Sequence, residues 1–260
     1  MSFRVACFFV LLCSLVFAQS TAENSLAFRS AIVKPSTPQT PPKFFTVRGT
    51  GTLVTGNTTV NDLVRFAYEL NPAQISGGPE WVATDRFDLV AEAGGVGRPT
   101  SKEFELMVQK LLAEGFKLTF HREQKELSVY ALTVGPSGPK LKKSEKDPTD
   151  PPRLGFTALG RLPAVNASMP EFAKVMQLTV LDRPVVDQTG LAGKFDFDLN
   201  WAPDQTQFAG IGLRPSPDAD GSKLPDLFTA IQSQLGLKLQ PANASIEVFV
   251  IDGAEKPSGK

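Results

Sequence analysis

Apolar residues recur at three- and four-residue intervals over Val60, Leu63, Val64 and Ala67, and again over Phe104, Met107, Val108, Leu111 and Leu112. That spacing places each set on one face of a helix. Thr59-x-x-Asp62 supplies a hydroxyl and a carboxylate for the free amides of the first helix, which is expected to stop before Asn71-Pro72. The second helix is expected over residues 101–114, with Gly115 ending it in the left-handed conformation. Residues 44–56, broken by Gly49 and Gly51, predict two short strands and a turn, and residues 86–92 alternate as another strand. Ser76-Gly77-Gly78-Pro79 predicts a turn. Phe116, Leu118 and Phe120 alternate with Lys117, Thr119 and His121 as a half-buried strand. Residues 127–134 are expected to return beside it as a hairpin partner.

From Gly155 a similar order of parts begins again. Ser168-x-x-Glu171 is a capping box with Pro170 in the first turn. Phe195-Asp196 echoes Phe87-Asp88, and Gly236-Leu237-Lys238-Leu239 echoes Gly115-Phe116-Lys117-Leu118. Residues 246–251 echo residues 127–132. Residues 224–235 predict a helix with Pro225 in its first turn and Gly236 after its end. The echoes predict an α+β fold of two pseudo-repeated lobes, each with short antiparallel or mixed strands and two helices. The expected division is a signal over 1–18, an extended proline-rich lead-in over 19–43, a first lobe over 44–135, a linker over 136–153, a second lobe over 154–253 and a tail over 254–260.

The signal rests on Arg4, an apolar run from Val5 to Ala18 that is short for a bilayer span, and small residues at Val16 and Ala18. It predicts an exported protein, periplasmic or extracellular, with no membrane span once the signal is removed. Cys7 and Cys13 both fall inside the signal, which leaves the remainder without a thiol, a disulfide or a Cys metal site. Lys and Arg total 27, as do Asp and Glu. No basic stripe is available for phosphates, so nucleic acid is not an expected partner.

Catalytic groups are scarce. His121 is the single histidine, and it falls on the polar side of a strand beside Arg122 and Glu123. With no Cys and no Gly-x-Ser-x-Gly turn, zinc sites and Ser-His-Asp chemistry lack their parts. No metal or cofactor is expected. Asp85 and Asp88, with Asp196 and Asp198, stand at related positions in the two halves. They are the carboxylates available for hydrolysis, which requires two acids across a cleft. Tyr68, Trp81 and Trp201 lie near turns, where an aromatic face can stack on a sugar or peptide; core packing of both tryptophans is the other reading. A ligand site is expected where the two lobes meet, near Tyr68, Gly77, Gly78, Pro79, Trp81, Asp187, Thr189, Gly190 and Trp201.

Several stretches together carry a resemblance: residues 62–68 (Asp-Leu-Val-Arg-Phe-Ala-Tyr), 74–81 (Gln-Ile-Ser-Gly-Gly-Pro-Glu-Trp), 116–123 (Phe-Lys-Leu-Thr-Phe-His-Arg-Glu) and 182–191 (Asp-Arg-Pro-Val-Val-Asp-Gln-Thr-Gly-Leu). They resemble an uncharacterised exported protein family of soil bacteria, a domain of unknown function also fused to antirepressor-type membrane metallopeptidases. Arg29 and Ser128 depart from its usual Glu and Pro. The resemblance implies an extracytoplasmic location and no known activity. The expected function is a non-catalytic binding module of the bacterial envelope, with an envelope protein or polymer as partner. The alternative is a carboxylate-dependent hydrolase of an envelope polymer.

Overall fold

The computed structural model describes residues 26–95, 97–215 and 224–257. The expected signal, with Cys7 and Cys13, lies outside the described residues. The chain runs β1 (Phe28–Pro35), β2 (Phe44–Arg48), β3 (Thr52–Thr58), α1 (Val60–Tyr68), β4 (Ile75–Gly77), α2 (Trp81–Thr84), β5 (Phe87–Ala93), α3 (Ser101–Gly115) and β6 (Thr119–Val134). It continues through β7 (Lys142–Lys143), β8 (Arg153–Leu154), β9 (Arg161–Ala167), α4 (Met169–Val175), β10 (Val185–Asp187), β11 (Phe195–Asn200), α5 (Leu227–Ala230) and β12 (Leu237–Gly253). Both α4 and α5 continue as wide π-type turns, over Met176–Val180 and Ile231–Leu235. The fold is α+β, with three four-stranded sheets ordered β1-β5-β3-β2, β10-β6-β12-β4 and β7-β11-β9-β8.

The capping boxes at Thr59 and Ser168 form as the sequence predicts, and a third forms at Thr100. Thr59 and Asp62 close α1, Ser168 and Glu171 close α4, and Thr100 and Glu103 close α3. Each satisfies two amides that the first turn of a helix leaves free. The end of α3 differs from expectation. Gly115 stays helical, and Lys117 takes the left-handed conformation at φ 46°. The amides of Phe116 and Leu118 both donate to Leu112 O, at 3.2 and 3.1 Å, so the chain leaves the helix through a left-handed residue two positions later than expected. Pro225 also falls outside the first turn of its helix, because Asp226 is the cap of α5.

The strands and turn expected over 44–56 form as β2 and β3, but the hairpin expected over 116–134 and its echo over 237–251 are absent. Residues 119–134 and 237–253 are each one long strand, and they pair antiparallel along their length. Residues 121–126 look turn-like only because they are polar. All six are exposed in mid-ribbon, and none is a Gly, Pro or Asn that would reverse the chain. Pro241 is tolerated inside β12 for a geometric reason. It faces Tyr130, whose N–H donates to Pro184 O at 2.8 Å and so points away from β12. The pair is a non-hydrogen-bonded one, and the Pro241 nitrogen faces the open edge.

The ribbon ties the halves together. The far end of β12 takes β4 as a parallel neighbour, Phe249 beside Ile75, and the far end of β6 takes β10, Tyr130 beside Val185. A two-fold rotation carrying Tyr130 to Phe249 and Leu132 to Ile251 maps one cross-strand pair onto another, since Leu132 faces Leu239 and Ile251 faces Phe120. One core cluster contains Val60, Leu63, Val64, Phe104, Val108 and Phe116 together with Phe249 and Ile251. The other contains Phe172, Met176, Leu199, Trp201 and Ile231 together with Leu132. Each core thus buries residues from the opposite end of the chain. Residues 142–143, in the expected linker, and 153–154, at its boundary with the expected second lobe, form the two edge strands of the third sheet.

Candidate ligand cleft

A cleft of about 580 Å³ opens between α1 and β2 on one side and the second-half segments 178–179 and 210–213 on the other. The last two turns of α1 contribute Arg65, Phe66 and Glu69, and Leu70 follows them. The start of β2 contributes Phe44 and Phe45, with Lys43 just before it, and α3 contributes Glu105. The wide turn after α4 carries Leu178 and Thr179 into the wall, and π-type turns of this kind recur at functional sites. The short 3₁₀ turn Ala209–Ile211 brings Gly210 and Ile211, followed by Leu213. A volume of this size, with a mostly apolar lining and a few converging polar groups, suits a small ligand or a short chain segment.

The charges in the cleft are largely paired. Lys43 Nζ lies 2.9 Å from Asp62 Oδ1, and Arg65 Nη1 lies 3.6 Å from the same oxygen. Burial pushes the Asp62 carboxyl up, but the Thr59 amide, Lys43 and Arg65 outweigh it and hold the group below the usual carboxylate range. Glu105 goes the other way: burial pushes its carboxyl up, Lys102 at 2.8 Å opposes, and the neighbouring Glu69 adds to the rise. Glu69 is itself paired with Lys174 of α4. Arg65 Nη1 donates to Gly210 O at 2.9 Å, bridging the halves, while Arg65 Nε is buried without a hydrogen-bond partner among the described residues. A buried donor left unmade costs about 1–3 kcal/mol.

The residues expected to form the site are mostly elsewhere. Tyr68 and Asp187 do meet, in a smaller cleft of about 310 Å³ lined also by Glu69, Lys174 and Gln177. The two glycine-bearing loops do not meet. Gly77 pairs with Ile251, which lies opposite Phe120, whereas Asp187 pairs with Leu132. From Phe120 to Leu132 along β6 is on the order of 40 Å at ~3.3 Å per residue. Gly77 and Gly78 have a packing reason instead, since a Cβ on Gly77 would stand 2.5 Å from Ile251 O. Pro79 O accepts the Val82 amide at 3.0 Å and so begins α2. Thr189 closes a turn on Asp187 Oδ1, and Gly190 follows it at φ 66°.

The tryptophans are packed rather than presented. Trp201 is 1 % exposed, lies parallel to Phe208, and donates from Nε1 to Gln207 Oε1 at 2.7 Å. Trp81 meets Phe87 edge-on, and Lys256 lies over its ring at 5.7 Å.

The aspartates are clamps, not a facing pair. Asp88 accepts from Ser36 Oγ (2.6 Å), Thr40 Oγ1 (2.8 Å) and the Asn57 amide (3.0 Å), while Asp196 accepts from the Asn166 amide at 2.9 Å. Asn57 and Asn166 are left-handed, at φ 56° and 58°, and each stands where a strand shifts register before a capped helix. Asp85 pairs with Lys256 at 2.6 Å, and Asp198 is exposed. None of the four lines either cleft.

The cleft residues had faint signals in the sequence. Phe44-Phe45 and Ile211-Gly212-Leu213 are apolar in segments with little else to bury, and Glu105 interrupts the apolar side of α3. No motif spacing links them, because they converge from five separate segments. Among the described residues, no group of three or more His, Cys, Asp or Glu could hold a metal ion, and no helix is long and apolar enough to cross a membrane. No curated protein matches the chain, and no solved structure does. A family model described as "Protein of unknown function (DUF3738)" matches residues 61–254, a span that includes most of both cores, the ribbon and most of the cleft, and the chain belongs to that family.

Proposed function

We propose that this protein is an exported, non-catalytic binding module of the bacterial envelope, and that the cleft between α1 and the 210–213 turn is its ligand site. The observation that carries this reading is the lining itself: apolar walls drawn from both halves, with the charged groups Lys43, Asp62 and Arg65 converging among them. The apolar run after Arg4 supports export. The related pairing of β4 with β12 and of β10 with β6 supports a duplicated origin.

The test is ligand-induced stabilisation. Soluble peptidoglycan fragments and peptides extracted from the envelope are added to the wild-type protein and to Ile211→Arg, a change at an exposed rim position. A ligand at a hundred times its Kd stabilises by about 2.7 kcal/mol, several degrees in unfolding midpoint for a chain of this size. The wild type should shift and the variant should not. Equal shifts would remove the cleft as the site.

A second reading rests on one observation, the raised Glu105 carboxyl beside Glu69 in the same cleft. A carboxyl group held protonated more readily than usual, beside a second carboxyl, is the raw material of acid–base hydrolysis. If the protein is a hydrolase of an envelope polymer, the wild type should release soluble fragments from it and Glu105→Gln should not. Absence of release by the wild type would end this reading.

A further inference from the structure

The two edges of the first sheet are finished differently. β1, at one edge, carries Arg29, Lys34 and Pro35, and its register shifts between Phe28 and Ser30. Such charges, prolines and irregularities keep an edge from accepting another strand. β2, at the other edge, reads Phe-Phe-Thr-Val-Arg and pairs with β3 residue for residue without a shift.

Its outward groups can be named. Ala93 N–H donates to Gly51 O at 3.0 Å, so odd-numbered residues of β3 turn their backbone groups to β5 and even-numbered ones to β2. Phe44, Thr46 and Arg48 face Gly56, Val54 and Thr52, and are therefore the bonded pairs. The N–H and C=O of Phe45 and Val47 point outward, and no backbone bond among the described residues reaches them.

This open edge runs into the cleft. Phe44 and Phe45 line it, and Phe45, Ile211 and Leu213 leave 37 %, 40 % and 47 % of their surface exposed around it. The carboxylates that line the cleft are all taken, Asp62 by Lys43 and Arg65, Glu105 by Lys102 and Glu69 by Lys174. A cationic ligand would find no free carboxylate among them. An extended chain would find two outward N–H groups, two outward C=O groups, and apolar walls for alternate side chains.

We infer that the occupant of the cleft is an extended peptide segment of another protein, with apolar residues at alternate positions, that adds to β2 as a fifth strand. This is strand addition, in which main-chain bonds give affinity and pockets for every second side chain give selectivity. The inference rests on the cleft reading and narrows its ligand to one class.

The experiment uses a terminally blocked hexapeptide of alternating Val and Thr, a second peptide of the same sequence N-methylated at every other residue in each of the two registers, and decanoic acid as an apolar ligand without a peptide backbone. Binding is measured by calorimetry and by amide exchange. Strand addition predicts that the plain peptide binds, that the amides of Phe45 and Val47 slow in exchange, and that one N-methylated form and Ile211→Arg weaken binding at least tenfold while the other form, methylated on its outward amides, still binds. Equal binding of both N-methylated forms and the plain peptide, or no binding of the plain peptide, overturns strand addition. Binding of decanoic acid that Ile211→Arg weakens, with no peptide binding, overturns strand addition and leaves the cleft standing. Unchanged peptide binding by Ile211→Arg overturns the cleft as well.

Discussion

Asp88 and Asp196 do the same local job in two places, each taking the amide of a left-handed Asn that turns a strand into a capped helix. Asp88→Ala removes three charge-assisted bonds and should cost about 2–4 kcal/mol in denaturant unfolding. The acid response follows from the same groups. Burial pushes Asp62, Asp88 and Glu171 up, but hydrogen bonds and cations outweigh it, and the Asn166 amide holds Asp196 down, so all four lie below the ordinary range. A depressed folded value contributes stability above the unfolded value, near pH 4, and loses it as pH falls through the folded value. Stability should therefore fall steadily below about pH 4. Glu105 has the opposite sign, because burial and Glu69 raise its folded value and its charged form costs stability at neutral pH. Glu105→Gln should raise the unfolding midpoint at pH 7–8 by up to a few degrees, with ~2–4 °C per kcal/mol at this size, and the gain should vanish below about pH 4. The Phe-Asp echo was legible in the sequence. Its purpose was not, since the amide that each aspartate holds is some thirty residues away in the chain.

At the level of elements, caps and amphipathic faces were readable because they are set by residues within four positions of one another. Thr59-x-x-Asp62 and Ser168-x-x-Glu171 cap the helices they were expected to cap. The long strands β6 and β12 were not readable. Their exposed middles carry the polar residues that a turn would carry, and the partner that keeps them extended lies more than a hundred residues away. Of the glycines expected to approach a ligand, Gly77 approaches the Ile251 backbone, Gly78 the Ile251 side chain, and Gly190 has open space around it. Gly77→Ala should destabilise the protein by about 1–3 kcal/mol through its φ of 76° and the contact with Ile251 O. Gly236→Ala should cost at least as much, since its Cβ would stand 2.0 Å from Gly138 O. Gly190→Ala, left-handed but with nothing within 4 Å, should cost only about 1 kcal/mol from the backbone alone. Midpoints in urea would rank the three.

On the scale of the whole molecule, the ribbon makes the two cores one cooperative unit. Phe249 and Ile251 sit in the first core and Leu132 in the second, so neither core is complete without the far end of the other half's strand. Trp81 packs against the first core and Trp201 lies in the second. Trp81→Phe and Trp201→Phe each leave one fluorescent reporter, and their denaturant transitions should coincide with that of far-UV dichroism. Phe249→Ala, expected to cost about 3–5 kcal/mol, should lower the Trp201 transition as much as the Trp81 one. The cleft exists only at this scale. Arg65 reaches Gly210 across 145 positions, and periodicity within either half carries no trace of that contact. The most direct measurement is amide hydrogen exchange of the protein with and without peptides and glycan fragments extracted from the envelope. Slower exchange is expected at residues 43–48, 62–70, 178–179 and 209–213. Protection confined to residues 76–81 or 187–190, with the cleft unchanged, would contradict it.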